Sequence, residues 1–200
     1  MSIRINLVRS PGAAALVLIG TPAMAHTGTG LAGGFVAGFA HPLTGPDHLL
    51  AMVSVGLWGA VLGRPLIYAL PVIFPGVMVL GAALGMFAVP LPSVEIGVAL
   101  SVLVLGACIA LSLRAPVWVA SAIVATFGIF HGYAHGRELP SAADPVGYSV
   151  GFVLATGMLH VAGIGIGFLN ARPVGVRLTR GLGATIGVAG GSFLYRAVMS

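Results

Sequence analysis

Charged residues are what this sequence has least of. Only 6% of its 200 residues are charged, with four acids, nine arginines and no lysine. A soluble domain carries about 25% charged residues, whereas 58% of this chain is hydrophobic, so the composition is typical of helices surrounded by lipid. The basic balance reflects the shortage of acids rather than a cationic patch, so we expect membrane lipid as a partner and no nucleic acid.

Cysteine and nucleotide-binding loops are also scarce or missing. Cys108 is the only cysteine, which excludes an internal disulfide and argues against a soft thiolate site for Cu(I). No phosphate-binding glycine loop or soluble nucleotide domain is present in the sequence. If the protein moves a solute, the energy must therefore come from an ion gradient, the membrane potential or a partner.

The amino terminus has the pattern of a secretory signal peptide. Arg4 and Arg9 precede a short apolar run over 13–19, and Ala23-Met24-Ala25 is an A-x-A cleavage site. We predict a signal peptide over 1–25 and a mature chain that begins on the outer side at His26, whose free amino group makes it a candidate metal ligand. The alternative is an uncleaved first span.

The remaining residues, 26–200, predict one all-α membrane domain. A helix needs about 20 apolar residues to cross the hydrocarbon core, and six segments qualify: 31–62, 66–88, 93–113, 117–138, 146–170 and 178–198. The first is too long for one straight span and contains Pro42, Gly45 and Pro46, so we expect a kinked or broken helix there.

The arginines predict the direction of these spans. With an outside start, the first, third and fifth connections face the cytoplasm and carry five arginines and no acid: Arg64, Arg114, Arg172, Arg177 and Arg180. This agrees with the positive-inside rule. Both mature termini are then expected on the outer side, with an oligomer possible.

The first group of polar residues within the spans is His41, Asp47 and His48. Ionisable residues in a membrane are costly and mark a site by default. A proline break between the two histidines would let His41 turn toward Asp47 and His48, so the sequence predicts a local pocket there. Met52 also lies over this face, and we interpret it as a packing residue.

The second group lies at the end of the fourth span. His131 and His135 are four residues apart and Glu138 follows three residues later, so all three share one helical face. This spacing lets two imidazoles chelate one ion while a carboxylate ligates it or orients a ligand; alternatively, Glu138 pairs with Arg137 or faces water. His160 in the fifth span is a further candidate ligand, or a residue that hydrogen-bonds between helices.

The predicted topology places both groups in the outer half of the membrane and His160 near mid-depth. That arrangement suits a site filled from outside. Neutral imidazoles with a carboxylate favour Ni²⁺, Co²⁺, Zn²⁺ or Cu²⁺ over Mg²⁺ or Ca²⁺. Because protonated imidazole cannot ligate a metal, binding should weaken below about pH 6.

Two motifs resemble those of the HupE/UreJ family of bacterial membrane proteins. They are H-P-x-x-G-x-D-H, present here over 41–48, and F-H-G-x-A-H-G-x-E, present over 130–138. The resemblance extends over the mature chain. It implies a nickel permease of the bacterial inner membrane, with periplasmic termini and a link to hydrogenase or urease maturation.

Two other classes of function remain open from the residues. One is an intramembrane metal enzyme, in which His131, His135 and Asp47 hold zinc and Glu138 acts as base, although H-E-x-x-H is absent. The other is a sensor that does not transport, or a haem-carrying subunit with paired histidines. We expect a permease rather than an enzyme.

Overall fold

The computed structural model describes residues 31–139 and 144–200, and the regular structure within them is helical. The all-α prediction is therefore confirmed, whereas the predicted signal peptide, 1–25, lies outside the described residues. The elements are α1 (Leu31–Thr44), α2 (Pro46–Leu62), α3 (Leu66–Met86), α4 (Val94–Ala110), α5 (Val117–Glu138), α6 (Pro145–Gly167), a 3₁₀ turn (Phe168–Ala171) and α7 (Pro173–Met199).

The first predicted span is broken where its prolines lie. α1 and α2 are bent by 78° relative to each other, and Gly45 between them has extended backbone. Pro46 has no N–H to donate to the Pro42 carbonyl and favours the first turn of a new helix. The chain therefore restarts at Pro46, as the sequence predicted.

Four helical segments are long and apolar enough to cross a membrane, and the bent α1–α2 pair makes a fifth candidate. They are Leu66–Met86, Val117–Arg137, Pro145–Ala171 and Pro173–Met199. These segments are those of a multi-pass membrane protein.

Two predicted spans begin or end at different residues in the structure. The predicted span 93–113 is a helix of only 17 residues, α4, because the backbone turns at Ser93 and Ser112, which both have positive φ. At 1.5 Å per residue α4 is about 26 Å long, less than the hydrocarbon thickness of about 30 Å. The last helix begins at Pro173 rather than at 178, since proline suits the first helical turn.

Glycines set the closest helix contacts. A Cβ at Gly132 or Gly136 of α5 would overlap the backbone carbonyl of Met78 or Ala82 of α3, so the two helices approach closely only because these positions lack side chains. The paired residue numbers rise together, which means that α3 and α5 run in parallel.

The other helices pack in the same manner. α6 runs parallel to the bent first pair, since Gly38 meets Tyr148 and Gly56 meets His160. α4 and α7 are antiparallel and meet at Gly106 and Gly187. The end of α5 and the beginnings of α1 and α6 therefore lie at the same end of the bundle.

Candidate metal site

The break after α1 brings His41 and His48 together. Their ring centroids are 5.5 Å apart and the rings meet edge to face. The Gly45 amide donates to the His41 carbonyl at 3.0 Å, and the Leu49 amide donates to the Gly45 carbonyl at 2.9 Å. These bonds hold the turn between the two histidines, so the bend positions both imidazoles.

α5 adds two more imidazoles to the same space. The His48 ring lies 4.8 Å from the rings of both His131 and His135, and the His41 ring lies 4.8 Å from that of His135. His131 is fully buried and His135 is 4% exposed. Four rings from α1, α2 and α5 thus form one group, which we call the outer cluster: His41, His48, His131 and His135.

Three residues of the outer cluster are close enough together to be candidate ligands of one metal ion. One ring nitrogen each from His41, His48 and His135 lies within 4.8 Å of the other two. Around a tetrahedral ion with metal–nitrogen bonds of about 2.0–2.1 Å, such nitrogens stand about 3.3 Å apart. A rotation of the rings that closes the gap by about 1.5 Å would therefore let all three bind one ion.

Asp47 contacts His48 rather than the centre of this trio. Its Oδ1 lies 2.7 Å from the His48 Nδ1 and also accepts a bond of 2.8 Å from the His48 amide. A carboxylate only accepts, so the His48 Nδ1 carries the proton and the Nε2 lone pair is left available. That Nε2 is buried without a hydrogen-bond partner. Asp47 thus orients His48 as a carboxylate orients a metal-binding histidine.

Ser101 of α4 has the corresponding role for His131. Its hydroxyl donates to the Val98 carbonyl at 2.6 Å, so its oxygen must accept the bond of 2.9 Å from the His131 Nε2. The His131 Nδ1 then carries a lone pair, and it too is buried without a hydrogen-bond partner. Sequence reasoning missed Ser101, although a polar residue in an apolar helix is the signal that would have singled it out.

Gly45 packs closely beside this site. A Cβ there would lie 3.3 Å from the Asp47 Oδ1 and 3.4 Å from the His48 Nδ1. The first contact is slightly tighter than usual and the second is an ordinary one, so a side chain at Gly45 would lie directly against the carboxylate–imidazole pair.

His160 does not join the outer cluster. Its ring is 5.6 Å from that of Phe74, and the Phe74 ring is in turn 5.4 Å from that of His131. His160 and Phe74 are 1% and 0% exposed. The aromatic ring of Phe74 thus stands between His160 and the other histidines, an arrangement that the sequence did not predict.

The remaining predicted ligands cannot be placed in the cluster. His26 lies outside the described residues, as does the side chain of Glu138, whose backbone ends α5. Glu95, an acid that the sequence does not single out as a ligand, is exposed at the beginning of α4.

A small apolar cavity adjoins the outer cluster. Its volume is about 90 Å³, and its lining includes His135, Tyr148 and Phe152. The Phe152 ring packs 4.1 Å from that of His135. Apolar walls keep water away from the imidazoles and strengthen their electrostatic interaction with a cation.

Apolar helices that enclose a cluster of imidazoles define a multi-pass membrane protein with a candidate transition-metal site. The profile of the family described as HupE / UreJ protein matches residues 14–193. Protein HupE of Rhizobium leguminosarum bv. viciae is 40% identical over 180 residues, which cover 90% of this chain and 94% of that protein. The chain therefore belongs to the HupE/UreJ family, as its two motifs predicted. No solved structure is significantly similar to it.

Proposed function

We propose that this protein is a permease that takes up a divalent transition metal, with Ni²⁺ as the preferred cargo and Co²⁺ and Zn²⁺ as competitors. The observation that carries the proposal is the outer cluster, in which two motifs far apart in sequence contribute four imidazoles to one space. The ion is cargo and not the cofactor of an enzyme. Membership of the HupE/UreJ family supports a link to hydrogenase or urease maturation.

The donor set suits an ion of borderline softness. Imidazole nitrogens bind Ni²⁺, Co²⁺ and Zn²⁺ well, whereas Mg²⁺ and Ca²⁺ require mostly oxygen ligands. Asp47 holds one negative charge beside His48 and offsets part of the charge that the ion brings into the low-dielectric interior. The prepared lone pairs of His48 and His131 replace water as the ion is dehydrated.

The directions of the helices support a chain that crosses the membrane six times. The first and fifth predicted spans run in parallel, as do the second and fourth, while the third and sixth are antiparallel, as a chain that crosses at every span requires. The short α4 can be accommodated by local thinning of the bilayer. In this topology the protein lies in the bacterial inner membrane with both mature termini in the periplasm, after removal of the signal peptide at 1–25.

The outer cluster then faces the periplasm. Arg180 donates to the Ala110 carbonyl at 2.9 Å, at the opposite end of α4 from Glu95, which agrees with a cytoplasmic position for the arginine-rich connections. A divalent cation moving inward gains about 2.3 kcal/mol per charge for each 100 mV. The membrane potential alone can therefore drive uptake.

Ni²⁺ uptake into proteoliposomes tests the proposal. The parent should accumulate Ni²⁺ when the interior is negative, and His48→Ala and His131→Ala should each reduce the initial rate by at least tenfold, because each removes a prepared ligand. Val188→Ala is the control, since Val188 is 76% exposed on α7 and should leave the rate unchanged. Uptake that persists at the parent's rate in the double variant Asp47→Ala, His48→Ala would remove this mechanism.

A further inference from the structure

His160 is a buried imidazole with unused hydrogen-bonding capacity. It is 1% exposed, and neither ring nitrogen makes a hydrogen bond of normal geometry. Burial of an unpaired polar group is unfavourable, so such groups in a folded protein call for a specific explanation. A bound ligand is one such explanation.

The backbone around His160 is fixed rather than loosely placed. Gly56 of α2 packs directly on the His160 carbonyl, and Gly163 of α6 packs on the Val53 carbonyl. His160 is therefore level with Gly56, which follows His48 by eight residues on the same helix. At 1.5 Å per residue this places the His160 backbone about 12 Å further along α2 than the His48 backbone.

A second atom that could bind a metal ion lies beside His160. The Pro71 carbonyl of α3 lies next to the imidazole. In a regular helix this carbonyl would accept from the amide of residue 75, but Pro75 has no N–H. The carbonyl oxygen thus lacks its helical donor, and the His160 ring makes with it a hydrogen-bond contact that is long or poorly aligned.

Phe74 lies between this place and the outer cluster. Its ring packs against the rings of both His131 and His160, and it is fully buried. Pro71 and Pro75 flank it within α3 and weaken the helical hydrogen bonding there, which permits a local bend.

We propose that His160 and the Pro71 carbonyl form a second, inner binding station for the same divalent ion, separated from the outer cluster by the Phe74 ring. The inference rests on the proposed function for its cargo. An imidazole and a neutral carbonyl offer fewer and weaker ligands than the outer cluster and no carboxylate. The inner station therefore binds more weakly, as a station from which an ion is released should.

Equilibrium titration with Ni²⁺ of the full-length protein in detergent micelles tests the inner station. The parent should show two classes of site that differ at least tenfold in affinity. His160→Leu, which conserves volume, should lose the weaker class and retain the tight one, whereas His48→Ala should weaken the tight class and retain the weaker one. A single class of site in the parent, or an unchanged weaker class in His160→Leu, overturns the proposal.

Two further measurements keep the result interpretable. His160→Gln retains a polar side chain and should weaken the second class at least tenfold, which provides a readout if His160→Leu does not give a monodisperse protein; an unchanged second class in His160→Gln contradicts the proposal. Proteoliposome uptake by the parent separates the two inferences. Uptake with one class of site refutes only the inner station, while two classes without uptake refute only the permease.

Discussion

Replacing Ser101 by alanine is a sharp test of how the outer cluster is prepared. Ser101 and His131 are both fully buried, so water cannot take the place of the hydroxyl without a structural change. In Ser101→Ala the His131 Nε2–H loses its acceptor, and an unsatisfied buried group costs about 1–3 kcal/mol. Without this acceptor no hydrogen bond favours the Nε2–H tautomer over the Nδ1–H tautomer, and the Nδ1–H tautomer lacks the lone pair that would bind the ion.

The expected loss of metal affinity follows from the loss of the Ser101–His131 hydrogen bond. Loss of a residue that orients a metal-binding histidine costs about 10–100-fold in metal affinity, or about 1.4–2.8 kcal/mol at 1.4 kcal/mol per tenfold change. The measurement is calorimetric titration of the purified protein with Ni²⁺. We expect the tight class to weaken by that factor while the number of sites is unchanged.

Ser192→Ala is the matched control. The Ser192 hydroxyl donates to the Ala189 carbonyl at 2.7 Å, three residues back, as the Ser101 hydroxyl does to Val98 at 2.6 Å, but Ser192 is not bonded to a histidine in the described structure. The control should bind Ni²⁺ as the parent does. If Ser101→Ala also binds with the parent's affinity, the assignment of the His131 tautomer is refuted.

Two further predictions concern the second oriented histidine and the helix packing. Asp47→Asn replaces the carboxylate that accepts the hydrogen bond of 2.7 Å from the His48 Nδ1 by a neutral amide. Ni²⁺ affinity should therefore fall about 10–100-fold with little change in melting temperature. An unchanged affinity would contradict the orienting role of Asp47. Gly132→Ala would place a Cβ against the Met78 carbonyl, so it should lower the melting temperature in detergent, whereas Gly181→Ala, where the added Cβ meets open space, should leave it unchanged or raise it. Equal melting temperatures in the two glycine variants would show that close contact of α3 and α5 is not needed.

Much of the helical architecture could be predicted from hydropathy and the positions of the prolines. Apolar helices in lipid must be long and free of charge, so hydropathy alone located most of them. The break in the first span also followed from local chemistry, because Pro42 and Pro46 lack the N–H groups that a continuous helix needs. The limits of α4 and α7 were less accurate, since positive φ at Ser93 and Ser112 and the start at Pro173 depend on how the chain turns between helices.

The candidate ligands were also visible in the sequence, because ionisable residues are too costly in lipid to be retained without a role. The sequence did not show, however, which of these residues lie together in one site. Hydropathy gives the depth of a residue along its helix but neither the rotation of that helix nor its neighbours. It is the packing of α5 against α3, through Gly132 and Gly136, that places His131 and His135 beside the bend between α1 and α2.

The contacts within the candidate site could be read only from the tertiary structure. It moved Asp47 from a predicted ligand to the partner of His48, and it assigned Ser101 to His131. It also placed the Phe74 ring against both His131 and His160, where the sequence had predicted only that His160 lies deeper, near mid-depth. The physical reason is that the cost of burying polar residues in lipid makes candidate ligands visible in the sequence. Which of them lie close enough to share an ion depends on the contacts between helices.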